Sequence, residues 1–439
     1  MRQGTRFLGL CLALLATTAL AEPVAPPDAH FDTVLSPARP LSAEEALRET
    51  PPAQPYDKPT YTYLRCYYRV SNDPNIAATD YVWARDPAAN DYYRLHGVWR
   101  NGGLLPWQSM FYSAATQQAL RDICRQTLAS TAAGREPAMV AAANNALSYN
   151  HAVWTLADTA PGDGVERLIA FGDSLSDIQN MYAISQWKAP QNPTWFLGRF
   201  SNGPVWVERL ASALDLPLYD WAIGGAAGHR EIILPGLRQQ IASWLTYTRD
   251  DPAYRPERTL FTLWVGGNDL ISYHRTPAQV VDDMQASLQQ LIAHGARRLL
   301  VLNLPDLGRA PIAQARGLSA KLTAQTDMYN ALLATMVSTL QQTYGAAVSL
   351  QLFDTHALFN DIIAHPANYQ IDNISDNCLA IKPASKLPWP YLLRHASSPA
   401  CANADRYLFW DPLHPTARTH AILAEHVIAL LRAPSPHGR

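Results

Sequence analysis

Ser174 stands in RLIAFGDSLSDIQN (167–180), directly after a short apolar run and between Asp173 and Asp177. A serine hydroxyl is a weak nucleophile until a base takes its proton. The segment YLFWDPLHPTARTH (407–420) offers that base, because Asp411 and His414 lie three residues apart. At this spacing the carboxylate can accept one imidazole N–H while the other ring nitrogen faces a substrate, which is the logic of an orienting acid and a general base. Pro412 and Pro415 stiffen the segment and help fix the ring. Acyl transfer by this route also needs donors for a developing oxyanion. Gly225 in YDWAIGGAAG (219–228) lets a backbone N–H approach a carbonyl closely, and Asn268 in LFTLWVGGNDL (260–270) brings a side-chain amide.

Each of these features also has a plainer reading. Ser and Asp are ordinary helix N-caps, paired glycines usually mark tight turns, and most of the 13 histidines need no role beyond structure. His420 and His426, on the segment after His414, are read that way. What favours chemistry is the combination: four stretches in one order, each at the end of an expected strand or in a loop beside one.

The elements that must position them follow from periodicity. From residue 165 onward, short apolar runs alternate with amphipathic stretches. Strands are expected at ERLIAF, RTLFTLWVG, RRLLVLNLP and VSLQLFD. Helices are expected at GPVWVERLASAL, AQVVDDMQASLQQLIAHG, LTAQTDMYNALLATMVSTLQQTYG and TARTHAILAEHVIALLR. This pattern means βαβ units and a buried parallel sheet, whose sites form at the carboxyl ends of the strands. A helix is expected to begin just after Ser174, placing its amides near the hydroxyl. Residues 56–155 differ: YTYLRCYYRVS, TDYVWARDPAANDYYRLHGVWR and LPWQSMFYS alternate aromatic and polar positions, as short antiparallel strands do. SAATQQALRDICRQTLAS then reads as one helix, completing a small α+β N-terminal domain ahead of a main domain at 160–439.

Residues 1–21 have the charged start, apolar run and small-x-small ending of a secretory signal peptide, and 22–55 are a Pro- and Ala-rich leader read as flexible. Export is therefore expected. Cys66, Cys124, Cys378 and Cys401 follow the signal, an even number that suits two disulfides in an exported chain. The pairing expected is Cys66–Cys124 and Cys378–Cys401, which keeps each bridge within one region. No CxxC or HExxH motif occurs, so neither a metal nor any other cofactor is expected. With a net charge of −2, a nucleic-acid partner held by charge is excluded as a working idea.

FGDSLSD, AIGGA, GGND and DPLHP resemble the blocks of the GDSL, or SGNH, hydrolases over residues 165–432. The resemblance implies a three-layer α/β/α sandwich with a parallel, flavodoxin-like sheet. It also implies Ser174 as nucleophile, His414 as base, Asp411 as its partner, and the Ser174 N–H, Gly225 N–H and Asn268 amide as oxyanion donors. The stretches YTYLRCYYR, TDYVWARDP, NMYAISQW, WFLGRFSNGPVW, FDTHALF and CANADRYLFWDPLHPT are similar to the secreted bacterial thermolabile, or lecithin-dependent, haemolysins. That likeness implies a phospholipase A and lysophospholipase, related to glycerophospholipid–cholesterol acyltransferases, with phospholipid substrates and transient contact with a membrane surface. Some relatives replace the triad aspartate with chloride; Asp411 implies a conventional triad here. One departure is Gln179, where the family usually has Gly. Trp187, Trp195, Phe196, Phe200 and Trp206 are candidates for an acyl channel, with core packing as the plainer reading. Two other functions remain open at this point: a carbohydrate or short-chain acyl esterase on the same fold, and a lipid- or glycan-binding role led by the aromatic N-terminal domain.

Overall fold

The computed structural model describes residues 60–433, apart from 90, 102–108, 132–133, 144–149, 158–163, 232–233, 250 and 382–391. The signal peptide and leader expected at 1–55 lie outside the described residues.

The aromatic region forms a twisted, mostly antiparallel sheet from β1 (Thr60–Arg69), β2 (Thr79–Trp83), β3 (Arg94–Asn101), β4 (Ser109–Ser113), β5 (Pro137–Ala143), β6 (Asn150–His151) and β7 (Val153–Thr155). Its order is β6-β5-β1-β3-β4-β7, with β2 also pairing β1. Helix α1 (Gln117–Thr131) packs on β5 and β2, and its Cys124 is bridged to Cys66 on β1. Both cysteines are fully buried beside Leu64, Leu120 and Leu128, so the bridge lies inside this small core. Both expected disulfides are formed, the second joining Cys378 to Cys401.

The main sheet is parallel and ordered β12-β11-β10-β8-β9, from β8 (Arg167–Gly172), β9 (Leu218–Asp220), β10 (Thr259–Trp264), β11 (Arg298–Leu302) and β12 (Ser349–Phe353). Every residue of β8 and β10 is buried, which requires cover on both faces. The first helices after β8 are α2 (Asn180–Ile184), α3 (Trp206–Ala213) and α4 (Leu237–Thr248). After β10 come α5 (Gly267–Ile271), α6 (Pro277–Ala293), α7 (Pro311–Ala315), α8 (Ser319–Tyr344), α9 (Thr355–Ala364) and α10 (Ala417–Arg432). Helix α6 packs against α4 and α8 in one layer, while α10 packs against α3 in the other. This is the expected α/β/α sandwich. Strand β9 and helix α4 were not expected: β9 is only three residues long, and α4 alternates polar and aromatic positions without a clean stripe.

The two sheets share one core. Met110, Tyr112 and Trp154 belong to the same buried cluster as β8 and β10. The Trp154 indole donates to Asp251 at 2.8 Å, the Tyr112 hydroxyl donates to the Tyr247 carbonyl at 2.9 Å, and the Arg167 guanidinium lies 4.5 Å from the Trp154 ring. Among the described residues, no helix is long and apolar enough to cross a membrane.

Candidate active site

Strand β8 delivers Ser174 to the carboxyl edge of the sheet. Asp173 organises the turn: its carbonyl accepts the Ser176 and Asp177 amides at 3.0 Å, and its carboxyl accepts the Leu175 amide at 3.0 Å. No helix begins at Ser174, contrary to expectation. The cause is Asp177, whose carboxylate accepts the amides of Gln179, Asn180 and Met181 at 2.5–3.0 Å and so delays the helix to Asn180. The same carboxylate accepts the Gly224 amide at 2.7 Å, tying the Ser174 loop to the glycine loop. Burial pushes Asp173 up to about 7, against its Leu175 hydrogen bond and the nearby His414. Burial also raises Asp177 to about 6, held back by its four backbone donors.

His414 arrives on the loop before α10. His414 Nε2 lies 2.8 Å from Ser174 Oγ, and Nδ1 lies 2.7 Å from Asp411 Oδ2. Asp411 Oδ1 accepts the amides of Leu413 at 2.6 Å and His414 at 2.7 Å. An ionised carboxylate only accepts, so Nδ1 carries the ring proton and Nε2 is free to receive one from the serine. Asp411, His414 and Ser174 are 0%, 2% and 6% exposed, so water barely screens the relay. The Phe200 ring lies 5.0 Å from the imidazole, backing it from the interior.

Gly225 has φ +82°, a backbone state that favours glycine, and its carbonyl accepts the Tyr273 hydroxyl at 2.9 Å. Among the described residues, neither the Ser174 nor the Gly225 amide donates to an acceptor. Asn268 shares the pocket with Ser174 and His414; its amide spends one N–H on the Ala226 carbonyl at 3.0 Å, leaving the other. Gly225 is not among the residues that line the pocket, and the Asn268–Ala226 bond is what links its loop to it. A second brace runs from the Gly228 amide to buried Asp269, which pairs with Arg275 at 2.8 Å.

The pocket beside Ser174 is walled by Trp264, Ile271, Leu304, Leu307, Phe359, Ile363, Phe409 and Leu413. None of the five aromatics expected as channel candidates lines it. Trp195, Phe196, Phe200 and Trp206 are at most 3% exposed and build the core, while Trp187 packs under the Arg65 guanidinium at 4.8 Å. The true walls come from the end of β10 and the segments after β10 and β11, from α9 and from the 409–415 segment that carries His414. Those after β10 and β11 sit at the carboxyl ends of expected strands, which was the available signal for NLPDLGR (303–309). His420, as expected, is structural: it is buried, accepts the Trp206 amide at 3.3 Å, and burial drives its pKa down to about 3. Gln179 adopts φ +141° with its side-chain carbonyl unpaired among the described residues, so the position where the family usually has Gly carries local strain here.

Residues 34–156 match the N-terminal domain of the Vibrio dual lipase/transferase, and residues 168–427 match the GDSL-like lipase/acylhydrolase family. The chain is 36% identical over 378 residues to a thermolabile hemolysin of Vibrio parahaemolyticus, spanning 84% of this chain and 87% of that protein. It is 28% identical over 313 residues to a phosphatidylcholine-sterol acyltransferase of Aeromonas hydrophila, spanning 61% and 90%. A secreted effector protein of Salmonella typhimurium is 28% identical over 274 residues, spanning 60% and 64%. The hydrolase match alone takes in more than half of the 439 residues, and the chain belongs to the GDSL-like lipase/acylhydrolase family of ester-hydrolysing enzymes.

Proposed function

We propose that this chain is an exported serine esterase that cleaves the acyl esters of phospholipids and lysophospholipids. The observation that carries the reading is the Ser174–His414–Asp411 relay opening onto an apolar pocket. His414 Nε2 takes the Ser174 proton as Oγ attacks the ester carbonyl. The tetrahedral oxyanion is met by the Ser174 amide, the Gly225 amide and the Asn268 side chain. Collapse expels the glycerol oxygen, which takes the proton back from His414, and leaves an acyl-serine. Water deprotonated by His414 then releases the fatty acid. An alcohol in place of water gives acyl transfer, and the acyltransferase among the relatives supports including sterol as an acceptor.

The pocket walls suit a hydrocarbon chain, and lipid-acting relatives point the same way. Two buried disulfides and the signal-like start at 1–21 support export. Ser174→Ala should abolish release of fatty acid from phosphatidylcholine while leaving the melting temperature within a few degrees of native. Near-native hydrolysis by that variant would remove the nucleophile assignment. A native enzyme that prefers a soluble acetyl ester over long-chain phosphatidylcholine would instead favour a short-chain or carbohydrate esterase.

A further inference from the structure

The pocket that adjoins Ser174 has one Arg or Lys among its described lining residues, Arg309. It sits where the chain leaves β11, in a loop that is pinned on several sides. The Leu304 amide donates to Asn330 Oδ1 at 3.0 Å, and the Asn330 amide returns to the Leu304 carbonyl at 2.8 Å. The Asp306 carboxylate accepts the Gly308 amide at 2.9 Å and the Thr323 hydroxyl at 2.8 Å. Just beyond Arg309, the Ile312 amide donates to the Pro412 carbonyl at 2.9 Å, fastening this loop to the one that carries His414. Arg309 therefore projects from a fixed backbone coupled to the base loop, on a site rigid enough to position a charge.

Its side chain is 61% exposed, at the pocket's mouth rather than its floor. Its only described guanidinium contact is with Asp306 Oδ2 at 3.6 Å, beyond hydrogen-bond distance. The planar fork keeps its donors open, next to walls made by Leu304, Leu307, Phe359 and Leu413. A cation at the rim of a hydrocarbon slot fits an amphiphile whose acyl chain goes in and whose anion stays at the mouth. Guanidinium matches the two oxygens of a phosphodiester in a way an ammonium does not.

We propose that Arg309 is a specificity-determining residue that binds the phosphate of the phospholipid head group and seats the scissile ester over Ser174. This rests on the phospholipase reading above. The carboxyl groups in the same lining, Asp306 and Asp173, offer an anion no attraction, so the guanidinium is what makes the mouth acceptable to a phosphodiester.

The test compares lysophosphatidylcholine with a monoacylglycerol of the same acyl chain, in identical detergent micelles, for native enzyme, Arg309→Ala, Arg309→Lys and Arg309→Glu. The readout is the ratio of kcat/KM on the two substrates, alongside melting temperature. A partly exposed charge-assisted pair predicts about a 10-fold fall in that ratio for Arg309→Ala, mainly through KM, with a smaller fall for Lys and a larger one for Glu. A ratio within about two-fold of native for both Ala and Glu overturns the proposal, that margin being what an exposed pair of no consequence would give. Inorganic phosphate is the second probe. If it alters monoacylglycerol turnover in native enzyme but not in Arg309→Ala, while the substrate ratio stays fixed, the arginine serves a free anion and the head-group assignment is overturned. If native enzyme cleaves a soluble acetyl ester but not lysophosphatidylcholine, the phospholipase reading itself has failed, before any variant enters.

Discussion

Asp411→Asn separates an orienting carboxylate from a merely buried one. In the native site Oδ1 accepts two backbone amides, from Leu413 and His414, and Oδ2 accepts the ring proton on Nδ1. An asparagine offers only one acceptor oxygen. If that oxygen stays with the two amides, the NH₂ group faces Nδ1, which must then accept. The ring proton moves to Nε2, which points at Ser174 Oγ, and the base is gone. Flipping the amide restores the tautomer but sets NH₂ against two N–H donors, leaving both unsatisfied in a fully buried site. At about 1–3 kcal/mol for each stranded group, the flipped form lies about 2–6 kcal/mol higher. That range alone is a rate loss of about 30-fold to 10⁴-fold, at about 1.4 kcal/mol per decade. Loss of the negative charge beside the forming imidazolium adds to it, so the expected fall in kcat is ~10³–10⁴. Initial rates on a soluble p-nitrophenyl ester measure it without an interfacial step, and ¹⁵N NMR of the imidazole should report the proton on Nε2. The backbone bonds survive, so the melting temperature should change little. A kcat within ten-fold of native, or a lost kcat with the proton still on Nδ1, would refute the reasoning.

Two other substitutions probe the surroundings. A Cβ at Gly224 would stand 2.3 Å from Phe200 Cζ, and that ring backs His414, so Gly224→Ala should lose about 1–3 kcal/mol of stability and at least ten-fold in kcat; a native rate would show that Phe200 does not hold the imidazole. Burial raises Asp173 to about 7 from an ordinary carboxylate value near 3.9, so between those pH values the folded state binds the extra proton. Stability therefore falls as pH rises through that window and levels off above it. Asp173→Asn keeps an acceptor for the Leu175 amide and should shrink the loss between pH 5 and pH 8 by at most about 3 kcal/mol, read from denaturant unfolding at both pH values; unchanged pH dependence would contradict a protonated Asp173.

The parallel sheet was legible because its strands are short apolar runs with nowhere to go but a two-sided core, as β8 and β10 are. The Ser174–His414–Asp411 hydrogen-bonded set was legible because Ser174 and the Asp411–His414 pair sit at strand ends or on loops beside them. The pocket was not. Its walls come from residues 264–271, 304–310, 359–363 and 409–415, and only the folded chain brings these together. The aromatic run from Trp187 to Trp206 misled because local composition does not tell a lining ring from a packed one. The helix expected at Ser174 failed for a similar reason. A side chain three residues on, Asp177, outcompetes a helix for the local amides and reaches Gly224 as well.

Those packed aromatics bear on what the N-terminal sheet does. A binding platform needs rings at the surface, yet Tyr63, Tyr67, Tyr81, Trp83, Tyr112 and Trp154 are at most 6% exposed. Tyr63, Tyr67, Tyr81 and Trp83 pack instead on the segment that follows Ser174, in one cluster with Tyr182, Trp187 and Leu197, while Tyr112 and Trp154 pack into the main-sheet core. Polar bonds hold the same segment: Asn192 exchanges two hydrogen bonds with the Thr79 backbone, at 2.8 and 3.1 Å. Further along, Asn202 donates to the Pro74 carbonyl at 2.9 Å and accepts the Ala417 amide at 2.7 Å, while Ser201 donates to the Pro415 carbonyl at 2.9 Å. Pro415 is the neighbour of His414. One continuous set of contacts thus runs from the N-terminal sheet to both sides of the Ser174–His414 bond. Cut away, that sheet would leave Trp187 and the buried Leu197 facing water and would remove the bonds from Asn192 to Thr79 and from Asn202 to Pro74, so its contacts brace the segment that runs between Ser174 and the His414 loop.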